Sequence, residues 1–128
     1  LVVEDEHQIR NFLREGFESL GYRVLLAKDA AEGLELCGTG DTRIDVILAD
    51  VILPGMNGAE LLAQARELQP QARSILMSGY TDDVLQRTGI DEAEVPLVHK
   101  PFEITGIAQV IRERLAENRE QEKAALAS

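Results

Sequence analysis

Residues 44–58 read Ile-Asp-Val-Ile-Leu-Ala-Asp-Val-Ile-Leu-Pro-Gly-Met-Asn-Gly, and the fold follows from how this stretch changes character. From 44 to 49 it is almost continuously aliphatic, the pattern of a strand covered on both faces rather than one side wetted by water. Asp50 closes the run. Similar runs lie at 1–3, 24–27 and 74–77, with a weaker one at 95–98. Between them the apolar spacing changes to three and four. Ile9, Phe12, Leu13, Phe17 and Leu20 predict a first helix that stops at Gly21. Asp29 is an N-cap for a second helix carrying Ala30, Leu34 and Cys37, ending in the turn at 38–41. Leu61, Leu62, Ala65 and Leu68 mark a third helix, closed by Pro70. A fourth is expected over 81–88, with Asp82 and Asp83 well placed in its first turn. Ile104, Ile107, Ala108, Ile111 and Leu115 form the stripe of a fifth. Strict βα alternation predicts a parallel sheet with helices on both faces, because each crossover between parallel strands is right-handed and must cover the sheet.

The chain of 128 residues has the size of one domain with one core. Its 23 acidic and 13 basic residues leave a net charge of -10, which argues against nonspecific binding to nucleic acid or to an anionic membrane. No apolar run approaches the roughly 20 residues of a membrane span. The single cysteine, Cys37, allows no internal disulfide and no metal cluster, so a reducing, cytoplasmic setting is expected. The chain opens at Leu1, without Met and already in an apolar run, and so reads as a piece of something longer. From Arg112 to Ser128 four basic and four acidic residues cancel, and residues 117–128 read as a helical extension or linker with a solvated face.

The polar residues that end the strands carry the chemistry. Strand one runs into Glu4-Asp5-Glu6, strand three into Asp50, strand four into Ser78 and strand five into Lys100. In an open parallel sheet these carboxyl ends share one edge, where ligands bind near the topological switch point. Two carboxylates about 4 Å apart repel by roughly 4 kcal/mol at an effective dielectric near 20, so Glu4, Asp5 and Asp50 together require a cation. A few hard oxygen ligands with room for water suit Mg²⁺ better than a full calcium cage. Carboxylate, Mg²⁺, lysine and hydroxyl together are equipped for phosphoryl transfer to a carboxylate.

Leu-Val-Val-Glu-Asp-Glu at 1–6, Asp-Val-Ile-Leu-Pro-Gly-Met-Asn-Gly at 50–58, Met-Ser-Gly-Tyr at 77–80 and Lys-Pro-Phe at 100–102 resemble, in order and spacing, the receiver domain of two-component response regulators. The resemblance covers residues 1–116. It implies a flavodoxin-like, doubly wound (βα)5 sandwich whose five-stranded parallel sheet has the order 2-1-3-4-5. It also implies that Asp50 accepts a phosphoryl group from the phosphohistidine of a sensor histidine kinase or phosphotransfer domain. Asp5 would bind Mg²⁺ directly, Glu4 through a water, and the Ile52 backbone carbonyl would add a ligand. Ser78 and Lys100 would each hold a phosphoryl oxygen, with a cis Lys100-Pro101 bond. The switching surface, open to a downstream protein or a weak homodimer, would span the fourth helix, fifth strand and fifth helix. The sequence around 53–58 and 77–83 is most similar to receivers attached to hybrid sensor histidine kinases.

Leu97 departs from the aromatic residue that many receivers carry three positions before the lysine. Ile52 and Tyr80, each two residues beyond a site residue, are expected to hinder the attacking water. A degenerate receiver that works by protein interaction alone is the alternative, and the intact acids, Ser78 and Lys100 weigh against it. A free-standing aspartyl-phosphate phosphatase would need an aspartate where Ile52 stands. His7 reads as a helix-start residue, His99 as a strand-edge residue and Cys37 as packing.

Overall fold

The computed structural model describes residues 1–39, 41–79, 96–99 and 103–127, those from 118 onward by backbone alone. Strands β1 (Val2–Val3), β2 (Leu26–Ala27), β3 (Val46–Asp50), β4 (Arg73–Ser78) and β5 (Leu97–His99) form one sheet. Every neighbouring pair is parallel, and the order is β2-β1-β3-β4-β5, as expected for a doubly wound fold. Among the described residues the helices are α1 (His7–Ser19), α2 (Ala30–Gly38), α3 (Gly58–Leu68) and α4 (Ile104–Ala127). The expected helix at 81–88 lies outside the described residues.

Side chains alternate across a strand, so each strand feeds two cores. Val3, Ile47, Ala49 and Leu76 face α2 and α3, where Ala30, Cys37, Leu61, Leu62 and Ala65 meet them. Val2, Leu48, Ile75 and Met77 face the opposite way, onto Leu13 and Phe17 of α1 and Ile107 and Ile111 of α4. This two-sided burial is why the strands are aliphatic at successive positions rather than at every second one.

The helix starts follow local chemistry. Asp29 caps α2, its Oδ1 accepting from the Glu32 N–H at 2.8 Å. Asn57 caps α3 in the same way from the Glu60 N–H at 2.8 Å, and its Nδ2 donates to Glu60 Oε1 at 3.0 Å. The C-terminal helix continues without a break to Ala127, past the end of its apolar stripe.

The ladders are shifted from the apolar runs. Residues 44–45 were expected in β3, which begins at Val46. The Ile44 N–H donates instead to Gln69 Oε1 at 3.2 Å, a side chain standing in for a strand. Gln69 is 7% exposed, and its Nε2 also donates to the carbonyls of Cys37 at 3.0 Å and Thr42 at 3.2 Å. One amide therefore ties the α2–β3 connection to the end of α3.

Candidate functional site

The strand order reverses between β1 and β3, so the carboxyl ends of these two central strands frame the crevice where such folds bind ligands. Glu4 and Asp5 leave β1 there, and Asp50 ends β3. One carboxylate oxygen from each of Glu4, Asp5 and Asp50 lies within 4.8 Å of the others. Glu4 is fully buried and Asp50 is 5% exposed, while Asp5 opens to solvent. Three hard oxygen donors with one open side could hold a divalent cation and leave places for water.

Glu4 and Asp50 are each tied to backbone. The Glu4 N–H donates to the Ala27 carbonyl at 3.1 Å, and Glu4 Oε1 accepts from the Glu6 N–H at 3.2 Å. Asp50 pairs with Met77 in the sheet register, and the Val51 N–H donates to the Met77 carbonyl at 2.9 Å. The Ile52 N–H then turns back to Asp50 Oδ1 at 3.1 Å, orienting the carboxylate. Ile52 is itself 39% exposed, a large apolar side chain two residues beyond Asp50.

The chain turns sharply after Asp50. Pro54-Gly55 has the composition of a type II turn, and Gly55 takes φ +80. Gly58 opens α3 directly against the strand it has left, its N–H donating to the Val51 carbonyl at 2.7 Å. A Cβ at Gly58 would stand 2.3 Å from the Asp50 carbonyl oxygen. Only glycine lets α3 approach this closely.

Ser78 is completely buried at the end of β4, one residue beyond the partner of Asp50, and pairs with His99. Lys100, Pro101 and Phe102, together with Tyr80, lie outside the described residues. Thus the acids expected to meet do meet, and Ser78 ends the strand beside Asp50. His99 is exposed on β5, and His7 is exposed in the first turn of α1 beside Asn11. Neither belongs to the acid group. Arg10, which the sequence reading did not single out, donates from Nη1 to the carbonyls of Glu4 at 2.7 Å and Asp5 at 2.9 Å. Its visible signal is a basic residue in the first turn of a helix, where the aligned amides disfavour positive charge.

The fold and the acid crevice define a class. Residues 1–112 match the response regulator receiver domain, and the chain belongs to that family. It is 31% identical over 118 residues to sporulation initiation phosphotransferase F of Bacillus subtilis, covering 90% of this chain and 91% of that protein. It is 32% identical over 115 residues to the sensor kinase CckA of Brucella abortus, covering 90% of this chain. The chain spans 12% of that kinase and 51% of a matched transcriptional regulatory protein of Bacillus subtilis. Among solved structures, the receiver domain of the hybrid histidine kinase CckA superposes with a TM-score of 0.75 at 32% identity, covering 89% of this chain and 95% of that one. The chain is therefore a two-component signalling module. Among the described residues no helix is long and apolar enough to cross a membrane.

Proposed function

We propose that this chain is the phosphoacceptor of a two-component phosphorelay, with Asp50 as the residue that takes the phosphoryl group. The observation that carries the reading is the convergence of Glu4, Asp5 and Asp50 from two strands within 4.8 Å. Carboxylates at that spacing repel by about 3–4 kcal/mol a pair at an effective dielectric near 20, and neither a helix cap nor a solvated turn would keep them together. The arrangement suits Mg²⁺ held by Glu4, Asp5, Asp50 and the Ile52 carbonyl. When bound, the ion supplies positive charge against the carboxylates and the incoming phosphoryl oxygens.

The chain's own residues do the rest. The Ile52 N–H donates to Asp50 Oδ1 and so orients the carboxylate in the crevice. An Asp50 oxygen attacks phosphorus as the P–N bond to the donor's imidazole breaks, and the imidazole keeps the electron pair. The donor is a histidine kinase or phosphotransfer domain. Ser78 and Lys100 receive the phosphoryl oxygens. The aspartyl phosphate carries about one more negative charge than the carboxylate. That charge draws Ser78 and its loop toward Asp50 and biases an existing equilibrium. The signal leaves through a face that includes β5 and α4, by backbone and helix movement, because Leu97 offers no aromatic ring to turn. Ile52, exposed beside Asp50, shields the acyl phosphate from water. Residues 1–116 act as the receiver and 117–128 as its helical extension, in the cytoplasm, and the similarity to the CckA receiver favours a receiver of the hybrid-kinase kind.

The test is beryllofluoride, a mimic of the bound phosphoryl group, added with Mg²⁺ and followed by amide NMR. Wild type should shift at the ends of β1, β3 and β4, and Asp50→Asn should not. Equal shifts in both would remove Asp50 from the centre of the site.

A further inference from the structure

Arg10 sits where helix electrostatics least favours it, and no carboxylate among the described residues pairs with it. Position 10 is the fourth residue of α1, in the electropositive first turn. An arginine there would ordinarily reach for an acid, and three lie at the adjoining end of β1 and β3. The guanidinium instead takes main-chain oxygens. The two N–H groups of one nitrogen, Nη1, serve the carbonyls of Glu4 at 2.7 Å and Asp5 at 2.9 Å. Two further bonds extend the clamp to Glu6. The Arg10 N–H donates to the Glu6 carbonyl at 3.0 Å, and the Glu6 N–H donates to Glu4 Oε1 at 3.2 Å. The first turn of α1 thus grips the 4–6 loop from its main chain, on which two of the three clustered carboxylates are mounted.

We infer that Arg10 is a positioning residue of the cation site: its fork fixes the direction in which Glu4 and Asp5 leave the backbone, and so fixes their approach to Asp50. The inference rests on the reading of the three acids as a divalent-cation site. A charge-only role and a positioning role make opposite predictions for metal affinity. If Arg10 were merely a nearby cation, removing it would tighten metal binding by relieving repulsion. If it positions the loop, removing it weakens binding even though a repelling charge has gone. Groups that orient metal ligands through hydrogen bonds typically change affinity by about 10–100-fold when lost.

The experiment is a titration with Mn²⁺ alone, read by electron paramagnetic resonance of the free ion, on wild type, Arg10→Met, Arg10→Lys and Asp5→Asn. Each titration is made below the variant's melting temperature. Arg10→Met, which keeps the length and loses both bonds, should bind Mn²⁺ about tenfold more weakly or worse. Arg10→Lys keeps the charge, but its ammonium reaches one bond less far, so its affinity should fall between wild type and Arg10→Met. An Arg10→Met variant that binds as tightly as wild type, or more tightly, overturns the role, as does an Arg10→Lys variant equal to wild type. Asp5→Asn separates the two levels: its binding should fall, and undiminished binding would overturn the acid-site reading and the Arg10 role with it.

Discussion

Replacing Gly58 by alanine adds one carbon where β3 hands over to α3. That Cβ would lie 2.3 Å from the Asp50 carbonyl oxygen, 3.1 Å from the Asp50 carbonyl carbon and 2.9 Å from Leu76 Cδ2. The Leu76 methyl group can rotate away, but the Asp50 carbonyl belongs to a strand paired on both sides. The helix must therefore shift, straining the 2.7 Å bond from the Gly58 N–H to the Val51 carbonyl. Overpacking against a fixed core costs about 1–3 kcal/mol, and a backbone obstacle puts this site at the upper end, about 2–3 kcal/mol. With an unfolding entropy of about 2.1 cal/mol/K per residue, a chain of this length loses roughly 4 °C per kcal/mol. The melting temperature should thus fall by about 8–11 °C, followed by circular dichroism with and without Mg²⁺. Gly55→Ala is the control. Nothing lies within 4 Å of its Cβ, so only its φ of +80 should cost stability, about 1–2 kcal/mol. A Gly58→Ala melting temperature within about 2 °C of wild type would show that α3 does not depend on this close approach.

Gln69→Leu should destabilise by about 2–4 kcal/mol in denaturant titration, because the Ile44 N–H and the Cys37 carbonyl lose buried partners. An unchanged midpoint would mean that other groups hold the α2–β3 connection. Cys37 is 2% exposed and burial pushes its thiol pKa up, so aromatic disulfide reagents should modify it only on unfolding. With the folded value raised, the unfolded chain ionises first above the ordinary 9.0, and stability should fall from there upward unless Cys37 is replaced by alanine. Ile52→Asn should shorten the lifetime of the aspartyl phosphate in a single-turnover decay measurement. An unchanged rate would end the shielding role given to Ile52.

Much of this was legible because burial leaves a pattern in sequence. The run at 44–49 reads as a strand covered on both faces, and Ile47 and Leu48 do face opposite cores. Once the strands are parallel, topology alone brings Glu4, Asp5 and Asp50 to one edge, and no distance has to be guessed. Side chains bonded to main chain leave no such pattern. Gln69 replaces a strand partner for Ile44, and Arg10 grips the carbonyls of Glu4 and Asp5, yet each looks in sequence like an ordinary polar helix residue. Gly58 could be seen in the motif, but its reason appears only when the Asp50 carbonyl is found against it. The element ends shifted for the same cause: apolar runs report burial, whereas ladders end where backbone partners run out.

Phosphorylation of Asp50 is the centre of the account, and intact-mass spectrometry after incubation with phosphoramidate and Mg²⁺ tests it most directly. Wild type should gain the mass of one phosphoryl group, lose it on addition of hydroxylamine, and show no gain when a chelator is present. Asp50→Asn should gain nothing. A phosphoryl adduct of equal yield on Asp50→Asn, or none on folded wild type with Mg²⁺, would contradict it.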